Sequence, residues 1–202
     1  MKGVLYIAYG DNARRQAQYS INYLRRFHDW PVSVVASEGG FDGADFIQFP
    51  DEDTGARWAK VNLDLITPYD MTLYMDADTR AQGDLSAGFE ILRDGWEFVI
   101  TPSPNQGDDV LWHCDSDDRL ETFVAYGTSN VLQLQGGIFW FRKCDNVARF
   151  FAAWREEWLR FRGQDQAALL RAMMREPVKA WILGRPFNGG AVVKHLWGWA
   201  RR

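Results

Sequence analysis

The sequence predicts an α/β fold built on a mainly parallel sheet, and three observations lead there. Short β-branched or apolar runs recur along the 202 residues, as at 4–8, 32–36 and 73–75. Stretches with apolar residues at helical spacing separate them. Most of these runs end in Gly, Pro or Asp, where chains leave a sheet. A chain of this length fits a single domain with a sizeable core.

Val4 to Ala8 reads as the first buried strand, closed by Gly10-Asp11. Asn12 to Phe27 has helical spacing, with Ala17, Ile21 and Leu24 on one face. Val32 to Ala36 is the second strand, and Phe46 to Phe49 a third that Pro50 stops. Arg57 to Ile66 forms a helix ahead of Pro68, and Arg57 and Lys60 share a face at i, i+3. The run 73–75 enters a strand ending in Asp76-Ala77-Asp78. Phe89 to Leu92 gives a short helix and Phe98 to Ile100 a strand. The segment 101–130, rich in Pro, Gly, Ser and Asp, reads as long loops, which in compact domains are usually functional or disordered. Gly137 to Phe141 is a strand preceded by Gln135-Gly136. Asp145 caps a helix to about Arg162, Asp165 to Met174 is a helix, and Val178 to Leu183 is a last strand.

Composition narrows the function classes. With 27 acidic against 23 basic residues the formal charge is −4, which argues against a general nucleic-acid binder, although the end of the chain is locally basic. No stretch is long and apolar enough for a transmembrane helix or a signal-peptide core. Cys114 and Cys144 lack metal-ligand spacing and read as reduced thiols of a cytoplasmic protein. Ten tryptophans exceed the usual number, and aromatic faces suit core packing, sugar rings or nucleobases.

Asp76 and Asp78 fall where a strand leaves the sheet, and open α/β sheets bind ligands there. Two carboxylates so close repel unless a cation sits between them, which points to a hard divalent metal holding a substrate phosphate. Arg57 and Lys60 can meet such a phosphate or simply face solvent. Gly136 and Gly137 allow close backbone approach to a ligand, or form a plain turn. Asp165 and Gln166 open a helix, either capping it or directed at substrate hydroxyls. His195, Gly198 and Arg201 form a spaced set near residue 202.

Together, Ala8-Tyr9-Gly10-Asp11, Arg57-x-x-Lys60, Asp76-Ala77-Asp78, Gln135-Gly136-Gly137, Asp165-Gln166 and His195-x-x-Gly198-x-x-Arg201 resemble, in their order, the GT-A fold nucleotide-sugar glycosyltransferases. The likeness is greatest to glycosyltransferase family 8 and runs from Val4 to Arg201. It implies a single Rossmann-like GT-A domain over 1–202, with transfer of a sugar from a nucleoside-diphosphate sugar, UDP by preference, to a hydroxyl acceptor. It also implies retention of anomeric configuration. Asp76, Asp78 and His195 would match the metal ligands, with Mn²⁺ or Mg²⁺ as cofactor. Imidazole favours the transition metal. Ala8, Tyr9 and Asp11, with Gly10 between them, would line the nucleobase and ribose pocket, and Gly198 and Arg201 the diphosphate. Arg57, Lys60 and Ala77 would belong to the donor site, as would Gln135, where the family usually has Asn, and Gly136 and Gly137. Asp165 and Gln166 would contact the donor sugar. Asp108, Asp109 and Asp115 are candidate bases for an inverting alternative. Two further readings stand beside this one: a haloacid-dehalogenase-like Mg²⁺ phosphatase, although Arg80 stands where that family has Thr or Val, and a non-catalytic sugar-nucleotide-binding domain.

Overall fold

The computed structural model describes residues 1–49 and 55–197. Its strands are β1 (Lys2–Ile7), β2 (Val32–Ala36), β3 (Asp45–Gln48), β4 (Met71–Asp76), β5 (Thr79–Ala81), β6 (Phe98–Pro102), β7 (Leu134–Arg142), β8 (Ala180–Ile182) and β9 (Val193–His195). The α-helices are α1 (Asp11–Leu24), α2 (Gly55–Val61), α3 (Leu63–Ile66), α4 (Ser86–Arg93), α5 (Ser116–Tyr126), α6 (Asp145–Phe161) and α7 (Asp165–Arg175).

Seven strands form the central sheet in the order β3-β2-β1-β4-β7-β6-β8, and β5 pairs with β9 in a separate ribbon. Neighbouring strands are parallel except at β4–β7 and β7–β6, so β7 alone runs backwards. That reversal has a positional consequence. The start of β7 lies at the same edge as the carboxyl ends of β1, β4 and β6, and the functional side chains gather along this edge.

Strand alternation divides the core in two. On one face Leu5, Ile7, Tyr74, Phe98, Ile100, Phe139 and Phe141 pack with residues of α2, α6 and α7. On the other, Val4, Tyr6, Leu73, Met75, Val99, Ile138 and Trp140 pack with residues of α1 and α4. Asp76 follows Tyr74 by two positions and so emerges on the α2/α6/α7 face, where it accepts a hydrogen bond from the Tyr74 hydroxyl.

Three expectations are revised. The helix from Arg57 to Ile66 is two helices, because the Asn62 side chain donates back to Trp58 O (2.8 Å) at the break. Gln135 and Gly136, expected ahead of the strand, lie with Gly137 inside β7. The segment 101–130 is largely ordered: it extends β6, makes a 3-10 turn at Gly107–Asp109 and forms α5. No helix of the described residues is long and apolar enough to cross a membrane.

Candidate active site

The fourth strand ends on Asp76, and the chain turns at Ala77-Asp78 into β5. Thr79 Oγ1 donates to Asp76 O (2.7 Å) and the buried Arg80 donates to Ala77 O (3.0 Å), which fixes the turn. Asp76 and Asp78 thereby face the same space. The third member arrives from 117 residues beyond Asp78: β9 pairs antiparallel with β5, with Thr79 opposite His195, and Leu196 N donates to Asp78 O (3.1 Å). His195 Nε2 lies 3.1 Å from Asp78 Oδ1 and 3.9 Å from Asp76 Oδ2.

Ligand atoms of Asp76, Asp78 and His195 all lie within 4.8 Å of one another. Donors around a divalent ion at about 2.1 Å are spaced roughly 3 Å apart, so the set fits a metal with small adjustment. The outer contact agrees. His195 Nδ1 is 2.8 Å from Asn188 Oδ1, an acceptor that places the proton on Nδ1 and leaves the Nε2 lone pair toward the acids.

The paired glycines of β7 explain how this cluster fits beneath the sheet edge. A Cβ on Gly137 would stand 2.3 Å from His195 Cε1 and 3.0 Å from Asp76 Oδ2, and one on Gly136 would stand 2.8 Å from Asp165 Oδ2. The absent side chains thus make room for site side chains.

Lys60 joins the metal cluster to Asp165. Its Nζ is 3.0 Å from Asp76 Oδ1 and 3.3 Å from Asp165 Oδ2, with only 8% of the residue exposed. Burial works against its charge, but Asp165 and Asp76 outweigh that and raise its pKa. Burial likewise opposes the Asp165 carboxylate, yet Lys60 and then Arg57 hold its pKa below the usual value. Arg57 Nε is 4.0 Å from Asp165 Oδ1, and its Nη2 donates to Gln164 Oε1 (2.8 Å). The Tyr74 hydroxyl, buried beside Asp76, has its pKa raised well above the ordinary 10 and stays a neutral donor. Asp165 is the first residue of α7 and does not cap it; its Oδ2 is buried with no hydrogen bond despite the nearby ammonium. Gln166 accepts from Gln133 Nε2 (2.6 Å) and donates to Gln135 Oε1.

These groups line a cleft of about 1020 Å³, which includes Arg57, Lys60, Asp76, Ala77, Asp78, Gln135, Gly136, Asp165, Gln166 and His195. On the α1 side its described lining is Ile7, Asn12, Ala13 and Gln16. Ala8 is buried behind it, and the Tyr9 hydroxyl donates to Phe49 O (2.8 Å). Gly10, with φ of 79°, opens α1, and Asp11 faces a separate shallow pocket with Arg14 and Gln18. Gly198 and Arg201 lie outside the described residues. Asp108 and Asp109 lie in the 3-10 turn, and Asp115 precedes α5, all three outside the described cleft lining. Sequence reasoning missed Asn188, Gln133, Trp112 and His113. A lone amide or aromatic in a loop has no spacing signal, and its partner becomes visible only in three dimensions.

No protein-family model matches the chain, and no curated protein matches it by sequence. Solved structures do resemble it. The bifunctional glycosyltransferase WbbM superposes with a TM-score of 0.65 at 13% identity, over 94% of this chain and 40% of that one. Mouse xyloside xylosyltransferase 1 gives 0.60 at 11% identity, over 92% of this chain and 86% of that one. The galactosyltransferase LgtC, solved with donor and acceptor sugar analogues, gives 0.58 at 14% identity, over 92% and 74%. The chain thus spans less than half of WbbM and most of the other two. At such identities the common property is architecture, and this chain has the fold of the GT-A glycosyltransferases.

Proposed function

We propose that residues 1–202 form one catalytic domain that moves a sugar from a nucleoside-diphosphate sugar, by preference a UDP-sugar, to a hydroxyl acceptor with retention. The observation that carries this reading is the arrangement of two unlike sites side by side. A cation-binding set of Asp76, Asp78 and His195 is joined through Lys60 to the buried carboxylate of Asp165.

Asp76, Asp78 and His195 would hold Mn²⁺ or Mg²⁺, which when bound supplies positive charge to a departing diphosphate. Gly198 and Arg201 are assigned to the same diphosphate, and the wall of Ile7, Asn12, Ala13 and Gln16 to the nucleoside, with Ala8, Tyr9 and Gly10 forming the strand-to-helix turn beside it and Asp11 turned to the other pocket. The chain's own residues do the remaining work. Lys60 holds Asp165 ionised in a buried place and bridges it to Asp76. The Asp165 oxygen that lacks a hydrogen bond is suited to accept one from a sugar hydroxyl. Gln166, held by Gln133 and Gln135, fixes the donor sugar on the other side. An anionic Asp165 beside that sugar favours positive charge building at the anomeric carbon. The free thiols Cys114 and Cys144 suit a reducing compartment such as the cytoplasm.

Nucleotide sugars screened for hydrolysis with and without Mn²⁺ test the activity. A metal-dependent signal for a UDP-sugar is expected, and silence across all bases refutes the reading. Calorimetry of Asp76→Ala and His195→Ala with UDP and Mn²⁺ tests the ligands, since unchanged metal-dependent binding in both would sink that assignment. NMR of the product anomer decides stereochemistry, and an inverted product removes retention.

A further inference from the structure

On the far side of the cleft from α1, the segment between β6 and α5 contributes Pro104, Asn105, Trp112 and His113 to the lining. Strand order explains the separation. Helix α1 follows β1 on one flank of β4, whereas this segment follows β6 on the other, beyond β7. The cleft therefore has a second half, adjoining Gln166, on the opposite side from the α1 lining.

That half is held firmly in an unusual shape. Leu111 is buried with φ of 54°, the left-handed region that a branched side chain rarely adopts. Its N–H donates to Gln133 Oε1 (2.7 Å), and Gln133 Nε2 donates to Gln166 (2.6 Å). Gln106 and Gln133 exchange hydrogen bonds as well: Gln106 Nε2 to Gln133 O (2.8 Å) and Gln133 N to Gln106 Oε1 (3.2 Å). Strained backbone persists only where its surroundings fix it, and such places cluster at functional sites. The outcome of this one is that Trp112 stands 63% exposed at the cleft wall, with His113 edge-on to it at 5.8 Å. Tryptophan exposed in this way, on a braced turn inside a cleft, forgoes considerable burial.

We propose that Trp112 is the platform of an acceptor subsite for a neutral pyranose, a reading that rests on the sugar transfer proposed above. The indole offers an apolar face matching the C–H face of a sugar ring, and Asn105, His113 and Gln166 in the same lining offer uncharged hydrogen-bonding groups. Asn105, His113 and Gln166 are amides and an imidazole, and burial lowers the pKa of His113 and keeps it neutral. Arg57, the cation nearest this half, is engaged by Asp165 and Gln164, whereas ring hydroxyls find both donors and acceptors among the three uncharged groups. The location suits the role, because His113 neighbours Gln166 and Asp165, the residues assigned to the donor sugar.

Saturation-transfer NMR with methyl α- and β-pyranosides, in the presence of UDP and Mn²⁺, reads this subsite without requiring turnover. Ring protons of neutral pyranosides are expected to saturate on the wild type, with affinity falling about tenfold in Trp112→Ala and largely restored in Trp112→Phe. Calorimetric affinity for UDP should be the same in all three proteins. Equal pyranoside affinity in wild type and Trp112→Ala overturns the proposal, as does saturation of no pyranoside. Loss of UDP affinity in Trp112→Ala overturns it too, by assigning the indole to the nucleobase. Pyranoside binding through Trp112 in a protein that neither binds nor hydrolyses any nucleotide sugar supports the sugar subsite and refutes only the transfer reading.

Discussion

Replacing Lys60 by methionine keeps the volume of the side chain and removes the charge between Asp76 and Asp165. At 3.0 and 3.3 Å, with an effective dielectric constant near 20, each attraction is about 5 kcal/mol. Several kcal/mol of ammonium desolvation and the mutual repulsion of the carboxylates oppose them. Asp76 is partly exposed, so its share is screened, whereas Asp165 is 6% exposed and is left with only the more distant Arg57. Removing one partner of a buried pair then costs about 3 kcal/mol, or roughly a 10 °C fall in Tm for a chain of this size. The pH dependence carries the sharper test. In the wild type the folded pKa of Asp165 is depressed, so its contribution is present above the unfolded value near 4 and is lost only as pH falls through the folded one. In Lys60→Met burial is opposed only by Arg57 and a backbone hydrogen bond, the folded pKa moves up, and the variant regains stability as pH falls from 7.5 toward 5. Urea unfolding followed by tryptophan fluorescence at both pH values measures the gap. A difference under about 1 kcal/mol at pH 7.5, or one that widens at pH 5, refutes the reasoning.

Gly137→Ala places a methyl 2.3 Å from His195 Cε1, so Mn²⁺ affinity by calorimetry should fall at least tenfold while the far-ultraviolet spectrum holds. Asn188→Ala releases His195 Nδ1, and metal affinity should drop about 10- to 100-fold. Away from the cleft, Glu157 gathers Arg160, Arg171 and Arg175, and although burial pushes its pKa up, those three guanidiniums bring it to about 2. Its stabilisation is therefore complete above its unfolded value near 4.5 and fades as pH falls toward 2. Glu157→Gln should lose stability at pH 7 in urea titration, and an unchanged gap at pH 2.5 would contradict the network.

The fold was legible where an element carries a continuous apolar run, as in β4, or one apolar face, as in α6. It was illegible where burial follows hydrogen bonding. Helix α5 is the instructive case: Asp118 and Thr122 are its buried residues, turned inward to meet Arg171, while Leu120 and Val124 are 61% and 69% exposed. An inverted pattern of that kind reads as a loop. The three-residue strands β5 and β9 are too short for any period to appear. In the site, the acid pair was readable from its place at a strand end, whereas His195 was marked only by the resemblance of the motif order to the glycosyltransferases. The meaning of Gly136 and Gly137 was only half readable. Close approach was foreseen, but not that His195, Asp76 and Asp165 are among the groups that come close. Gln133 and Asn188 act solely through what they touch, so the sequence offers no mark of them.

The pairing of β5 with β9 sets a schedule for the molecule. Six of the seven strands of the central sheet are complete by residue 142, and Asp76 and Asp78 are in place before half the chain is made. His195 joins them only when the ribbon zips, with Ala81 against Val193 and Arg80 against Lys194. During synthesis the growing chain therefore has its sheet and its acids long before it has a complete cation site. A chain cut between β8 and β9 would keep all seven strands of the central sheet and lose His195. The ribbon works as a late clasp, and a bound cation would hold it shut.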